Sequence, residues 1–174
     1  MALAVCLLFD TETDRAIRRL WGRLEESGIP TLLTHTHRRH VPHLSYVVLR
    51  TYDLPAVESA LEDVPDSGPV HIYIDTLGLF RRGRASLVPA PSPDLVQRQD
   101  RVVRVVEETG ADLHRYYTPG RWTPHCSLSP RARRDELDRL GAVVYDVLPM
   151  EAALTRAVLI DTATGEHTPL RTIP

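Results

Sequence analysis

One five-residue pattern occurs twice and constrains the fold more than any other feature: Pro42-His43-Leu44-Ser45-Tyr46 and Pro124-His125-Cys126-Ser127-Leu128. Both read proline, histidine, apolar, serine, apolar. In an extended strand successive side chains alternate faces. His43 and Ser45 therefore share one face, with Leu44 and Tyr46 on the other, and His125 and Ser127 stand in the same relation to Cys126 and Leu128. A proline ahead of each copy suits a strand's first residue, where no ladder hydrogen bond is needed from it. Each copy thus offers an imidazole beside a hydroxyl, backed by an apolar face that anchors the strand in a core. The two histidines are expected to meet across one cleft.

The rest of the chain supplies helices and further strands around these two. Residues 2–9 are apolar, lack a basic n-region and run straight into Asp10, so they read as a buried strand and not as a signal peptide. Thr11-Glu12-Thr13-Asp14 has the form of a capping box, and Ala16, Ile17, Leu20, Trp21 and Leu24 follow at helical spacing up to Gly28. Trp21 is read as core, and residues 31–36 as a short strand or strand-like connector. Pro55 opens a second helix with Val57, Ala60, Leu61 and Val64 on one face. Strands are expected over 70–74 and 85–88, joined by a loop carrying Arg81, Arg82, Gly83 and Arg84. Residues 89–93 are the one proline-rich connector and the expected lobe boundary. Ser92-Pro93 then starts a helix with Leu95, Val102, Val103 and Val106 inward. Residues 134–147 are read as helical, and strands over 152–161 and 166–172 close the chain as a hairpin through Thr164-Gly165. In each half a helix precedes the motif strand, another follows it, and two strands finish the set. The expected fold class is α+β, with two mostly antiparallel sheets flanked by helices. No apolar run is long enough to span a membrane.

The basic residues narrow the chemistry. All 21 are arginine, and lysine does not occur. A phosphate-loop lysine, a Schiff base and a lysyl-nucleotide intermediate are excluded on that inventory. The net charge of −2 exerts no global pull on nucleic acid. Yet residues 28–50, 76–93 and 113–134 carry arginines and no acid. If these segments share a face, a near-neutral protein has a positive cleft suited to an anionic substrate. Cys6 and Cys126 form no disulfide framework, which fits a reduced cytoplasm. Imidazole switches between neutral and protonated forms near neutral pH. Two of them on opposite sides of a phosphorus atom can accept a proton from attacking water and donate one to the leaving oxygen. The adjacent hydroxyls can hold the non-bridging oxygens.

Two His-apolar-Ser-apolar motifs half a chain apart resemble the 2H phosphoesterase superfamily, and within it the 2'-5' RNA ligase and cyclic phosphodiesterase (LigT-like) branch. The resemblance covers the chain in length and order of elements, and its specific content is His43-Leu44-Ser45-Tyr46 and His125-Cys126-Ser127-Leu128. It implies a single bilobed domain over residues 1–174, a pseudo-twofold axis, one motif per lobe and a metal-independent site in the groove, with no cofactor. The implied activity is on 2',3'-cyclic phosphates or 2'-5' linkages of RNA ends or nucleotides, possible in reverse as ligation. His43 and His125 are the expected acid–base pair, with Ser45, Ser127 and Arg131 on the phosphate. Tyr116, Tyr117, Arg82 and Arg84 are the further substrate-binding candidates. The chain departs from the branch in carrying serine where threonine is common, in Ser129-Pro130 ahead of Arg131, and in Val47-Val48-Leu49 after the first motif. The substrate expected is an RNA end or small cyclic nucleotide, with no membrane and no required protein partner, the protein acting as a monomer.

Two other readings stand beside this one. A catalytically idle RNA- or nucleotide-binding protein would use the same basic groove. A metal hydrolase would draw on His35, His37, His40 and His43, although no acid lies near them in sequence and the local arginines repel a cation.

Overall fold

The computed structural model describes residues 2–174. Its centre is β1 (Leu3–Phe9), every residue of which is buried, as an uninterrupted apolar run requires when both faces are covered. The other strands are β2 (His43–Thr51), β3 (Val70–Phe80), β4 (Arg84–Pro89), β5 (Asp112–Leu113), β6 (Cys126–Ser129), β7 (Met150–Asp161) and β8 (His167–Pro169). Four helices accompany them: α1 (Thr11–Glu26), α2 (Leu54–Glu62), α3 (Pro93–Glu108) and α4 (Leu137–Tyr145). The fold is α+β, as the pattern predicts.

The strands form one continuous antiparallel sheet in the order β5-β2-β1-β7-β3-β4-β6, with β8 on β7, where two sheets are expected from sequence. The join is β7. Its residues 150–154 pair with β3 while 154–161 pair with β1, so a strand of 12 residues carries the ladder from one group to the other. The order also crosses the halves of the chain. The strands that follow the first motif, β3 and β4, carry the second motif strand β6, and β7, which follows the second motif, runs beside β1, whose other neighbour is β2. The proline-rich connector does not divide the chain into successive lobes, because α3 beyond it packs back on α2 and β2.

Local signals explain most helix ends. Asp10, one residue before the expected cap, starts α1: its carboxylate accepts from the N–H groups of Glu12 at 3.0 Å and Thr13 at 2.9 Å. A third bond, from Ala153 N–H at 3.1 Å, ties that helix start to β7. Burial alone pushes the Asp10 carboxyl up, but the bonds it accepts outweigh this and hold it below the usual carboxylate range. Ser92 caps α3 on Leu95 N–H at 3.2 Å with Pro93 in the first turn, as its sequence implies. Residues 31–36 form turns rather than a strand. Residues 112–113, with no strand signal of their own, pair with Leu49 and Thr51.

The main core fills the helix-covered face with Leu7, Ile17, Trp21, Leu44, Tyr46, Leu87, Val103, Leu128 and Val144 among others. Complete burial of one such side chain contributes about 1.5–3 kcal/mol. A second, smaller cluster lies on the other face: Ala4, Cys6, Leu8, Val158 and Ile160, with Val41 and Val48 against it.

Candidate active site

The motif strand β2 is bulged. Val47 pairs with Val5 and Ser45 with Cys6, which leaves Tyr46 unopposed. Tyr46 and Val47 can therefore both enter the helix-side core, while Ser45 stays opposite Cys6 of the smaller cluster. In the second motif His125 stands one residue ahead of β6, and Cys126 and Leu128 are buried where His125 and Ser127 are half-buried. Both copies thus turn their histidine and serine away from the main core.

The two motif strands are not ladder neighbours, yet they meet. β2 and β6 are in contact, the His43 backbone lies by the Cys126 thiol, and the charge of His125 is felt at His43. Each imidazole is held in the same way. His43 Nδ1 lies 2.7 Å from the Val41 carbonyl and His125 Nδ1 lies 2.8 Å from the Thr123 carbonyl, in both cases two residues upstream across the proline. A carbonyl can only accept, so each Nδ1 carries the proton and each Nε2 is left as the reactive nitrogen. Burial depresses the pKa of His43 most, the bond to Val41 works against this, and the charge of His125 adds to it. Burial also depresses His125, opposed by its bond to Thr123 and reinforced by Arg84.

The chain's two tryptophans pin the two motifs. Trp21 Nε1 donates to the Ser127 carbonyl at 3.2 Å, and Trp122 Nε1 donates to the Ser45 carbonyl at 3.0 Å. Trp21 is fully buried, as expected of core. Trp122 is half-buried with its N–H committed to the motif backbone. Gln99 of α3 donates to the Tyr46 carbonyl at 3.2 Å and the Tyr117 carbonyl at 2.9 Å, so the loop after β5 is fastened to the first motif strand.

The serines differ in setting. Ser45 is buried with its Oγ 3.3 Å from Cys6 Sγ and the Tyr117 hydroxyl beside it. Burial pushes the Tyr117 phenol up to about 12, so it remains a neutral donor. Ser127 is half-buried and pairs across the ladder with the buried Ser86 of β4. Phe80 packs on the second histidine, ring centres 4.9 Å apart. Burial pushes the Cys6 and Cys126 thiols up to about 12, which makes both unfit as nucleophiles at neutral pH.

Of the arginines singled out from sequence, Arg84 comes nearest the chemistry: its charge reaches His125, Tyr117 and His114. Arg82 sits exposed in the tight turn Arg81–Gly83 with φ 66. Arg131 has an exposed side chain, and its N–H donates to Ser129 Oγ at 3.3 Å. Tyr116 is 46% exposed at the mouth of this region. His35, His37 and His40 do cluster, but as stacked and tilted rings 5.9 and 4.1 Å apart. Their nitrogens are engaged elsewhere, His40 Nε2 with Thr36 Oγ1 at 3.0 Å and His37 Nδ1 with Arg39 N–H at 3.0 Å. Among the described residues no group of three or more histidine, cysteine or acidic side chains is arranged around a common metal position. A hollow of about 660 Å³ opens between Asp10, Glu12, His71, Tyr73 and Glu151. It shares no residue with either motif, and its acidic lining is wrong for a phosphate. The pinning tryptophans, Phe80 and Arg84's reach were not legible from the motifs, because each arrives from another part of the chain.

Solved structures share this architecture at low identity. E. coli LigT complexed with 3'-AMP is similar over 97% of this chain and 94% of its own, with TM-score 0.64 and 15% identity. The crystal structure of another phosphoesterase gives 0.62 at 16% identity over 97% and 94%. The MHV ns2 PDE domain gives 0.56 at 12% over 97% of both chains. No curated protein sequence matches the chain. The sequence profile of the 2'-5' RNA ligase superfamily matches residues 9–166, which include both motifs, both pinning tryptophans and the strand that joins the sheet. The chain belongs to the 2'-5' RNA ligase superfamily and has the fold of the LigT-like 2H phosphoesterases.

Proposed function

We propose that the protein is a metal-independent phosphodiesterase that hydrolyses the 2',3'-cyclic phosphate or 2'-5' phosphodiester of an RNA end or nucleotide. Family membership supports a phosphodiesterase or RNA-processing role. The observation that carries the finer reading is the paired histidines, alike in their Nδ1 anchors, with the charge of His125 felt at His43. That E. coli LigT is found complexed with 3'-AMP gives a ligand of the size this reading needs.

In the hydrolytic direction His43 acts as general base and His125 as general acid. We assign the roles this way because the charge of His125 works against a proton on His43. His43 Nε2 takes a proton from water as the water oxygen bonds to phosphorus. His125 Nε2 gives its proton to the ribose oxygen as that P–O bond breaks. Charge accumulating on the non-bridging oxygens is met by the Ser45 and Ser127 hydroxyls, with Arg84 and Arg131 as phosphate-contacting cations and Tyr117 beside Ser45. Exchanging the two roles runs the step backwards and joins a phosphodiester.

Hydrolysis of a 2',3'-cyclic nucleotide in excess EDTA tests this. Turnover is expected to survive EDTA and to fall by roughly 10²–10⁴-fold in His43→Ala and in His125→Ala. A phosphodiester with a nitrophenolate leaving group needs no acid. It should rescue His125→Ala and leave His43→Ala impaired. Loss of turnover in EDTA hands the reaction to a metal, while salt-sensitive RNA binding without turnover would make the protein a binding module.

A further inference from the structure

We propose that Arg81, Arg115 and Tyr116 form a second anion subsite, separate from the histidine pair, for a further phosphate group of the substrate. This rests on the phosphodiesterase reading and adds that the preferred substrate carries at least two phosphates. Arg18, Arg23, Arg39, Arg50, Arg98, Arg133 and Arg171 each reach a carboxylate within 4.0 Å. Among the described residues the other fourteen arginines reach none, and of these Arg81, Arg84 and Arg115 are the ones whose charges are felt around His114 and Tyr116.

Two of them share one phenol. Arg115 Nη2 donates to the Tyr116 hydroxyl at 2.8 Å, and its guanidinium carbon lies 4.8 Å from the ring centre. Arg81, from the turn between β3 and β4, lies near the same hydroxyl, where it adds to Arg115 in holding the phenol below its usual pKa. Two unneutralised guanidiniums are thus brought to one exposed point, which an anion would relieve.

The bracket sits one residue from a contact of each motif. Arg81 follows Phe80, which packs on His125, and Tyr116 precedes Tyr117, which lies beside Ser45. It therefore joins two chain segments that reach different motifs. His114 fills the interval. Its ring is 5.3 Å from that of Tyr116 and 6.1 Å from that of Tyr117, its buried Nδ1 has no partner among the described residues, and it feels the charges of Arg50, Arg115 and Arg84. A basic path runs from His125 through Arg84 and His114 to the bracket, as a substrate with successive phosphates requires.

The test compares wild type with Arg81→Gln/Arg115→Gln on three probes. These are adenosine 2',3'-cyclic phosphate, its 5'-phosphorylated form, and the dinucleotide ApA ending in a 2',3'-cyclic phosphate. On the first probe the variant should stay within about twofold of wild type, which also reports that it is folded. On the second or third, kcat/KM should fall by about tenfold or more, chiefly through KM, with a weaker salt dependence. The probe that suffers shows whether the phosphate comes from a nucleotide's 5' end or from an RNA strand. An equal loss on all three, or no loss on any, overturns the subsite. If wild type cleaves none of them, it is the phosphodiesterase reading that fails. The subsite is then read by fluorescence anisotropy of labelled ApA with a terminal phosphate: about tenfold weaker binding by the variant sustains it, equal binding overturns it.

Discussion

The Val41 and Thr123 carbonyls decide which nitrogen each histidine offers to a substrate. By accepting from Nδ1 they leave Nε2 free and set the ring against rotation. The work falls to atoms two residues outside the His-x-Ser motif, and any side chain at those positions would supply the same carbonyl. The sequence therefore shows the histidines and hides what orients them. Both imidazoles are held below the ordinary value of 6.5. Acid–base displacement needs one protonated and one neutral ring, so with both pKa values depressed the optimum should lie on the acid side of 6.5. A profile of kcat/KM against pH for a cyclic nucleotide checks this, and an optimum well above that value would sink it.

The elements keep the motifs in place through two indole N–H bonds and one tight turn. Trp122→Phe keeps a ring but leaves the Ser45 carbonyl without its donor, and should cost about 1 kcal/mol in denaturant unfolding. Trp21→Phe loses the same kind of bond inside a fully buried site and should cost more, roughly 2 kcal/mol. At the turn between β3 and β4, Gly83 has φ 73, and a Cβ there would collide with the Ala132 carbonyl. That same contact carries the bond from Ala132 N–H to the Gly83 carbonyl at 2.6 Å. Gly83→Ala should therefore lower Tm by an amount equivalent to more than about 1 kcal/mol. It should also disturb the seating of Phe80 against His125. The bulge in β2 belongs to this scale too. The run Tyr46-Val47-Val48-Leu49 is apolar throughout, so alternation alone cannot say where the phase slips.

For the whole molecule, protons bound on unfolding set the pH dependence of stability. His40, His43, His114 and His125 all have folded pKa values below 6.5, and His40 is brought down to about 4 by burial and its histidine neighbours. Below 6.5 the unfolded chain binds protons that the folded one resists. The stability these groups contribute is therefore present above that pH and lost as pH falls toward the folded values. Thermal unfolding should show Tm dropping from about pH 6.5 toward pH 4, and His40→Gln should flatten the slope. A flat Tm across that window would contradict the neutral state of these half-buried histidines.

From the sequence alone came the α+β class, the inward faces of the helices, the Ser92 cap and the two histidines with their serines. Each of these rests on contacts within a few residues, where a period of 2 or 3.6 or a capping side chain is visible in the chain itself. Tertiary structure decided the rest. It fused the two expected sheets through β7, and exchanged strands so that the second motif pairs with β4 of the first half while β5 and β7 of the second half join the sheet around β1 and β2. It also brought Trp21, Trp122, Phe80 and Arg84 to motifs far from them in sequence. Such pairings depend on which of many apolar strands lie side by side, a choice made by packing over the whole core. Each repeated stretch supplies half of the proposed site, and the contact between β2 and β6, far apart in strand order, is what brings the halves together.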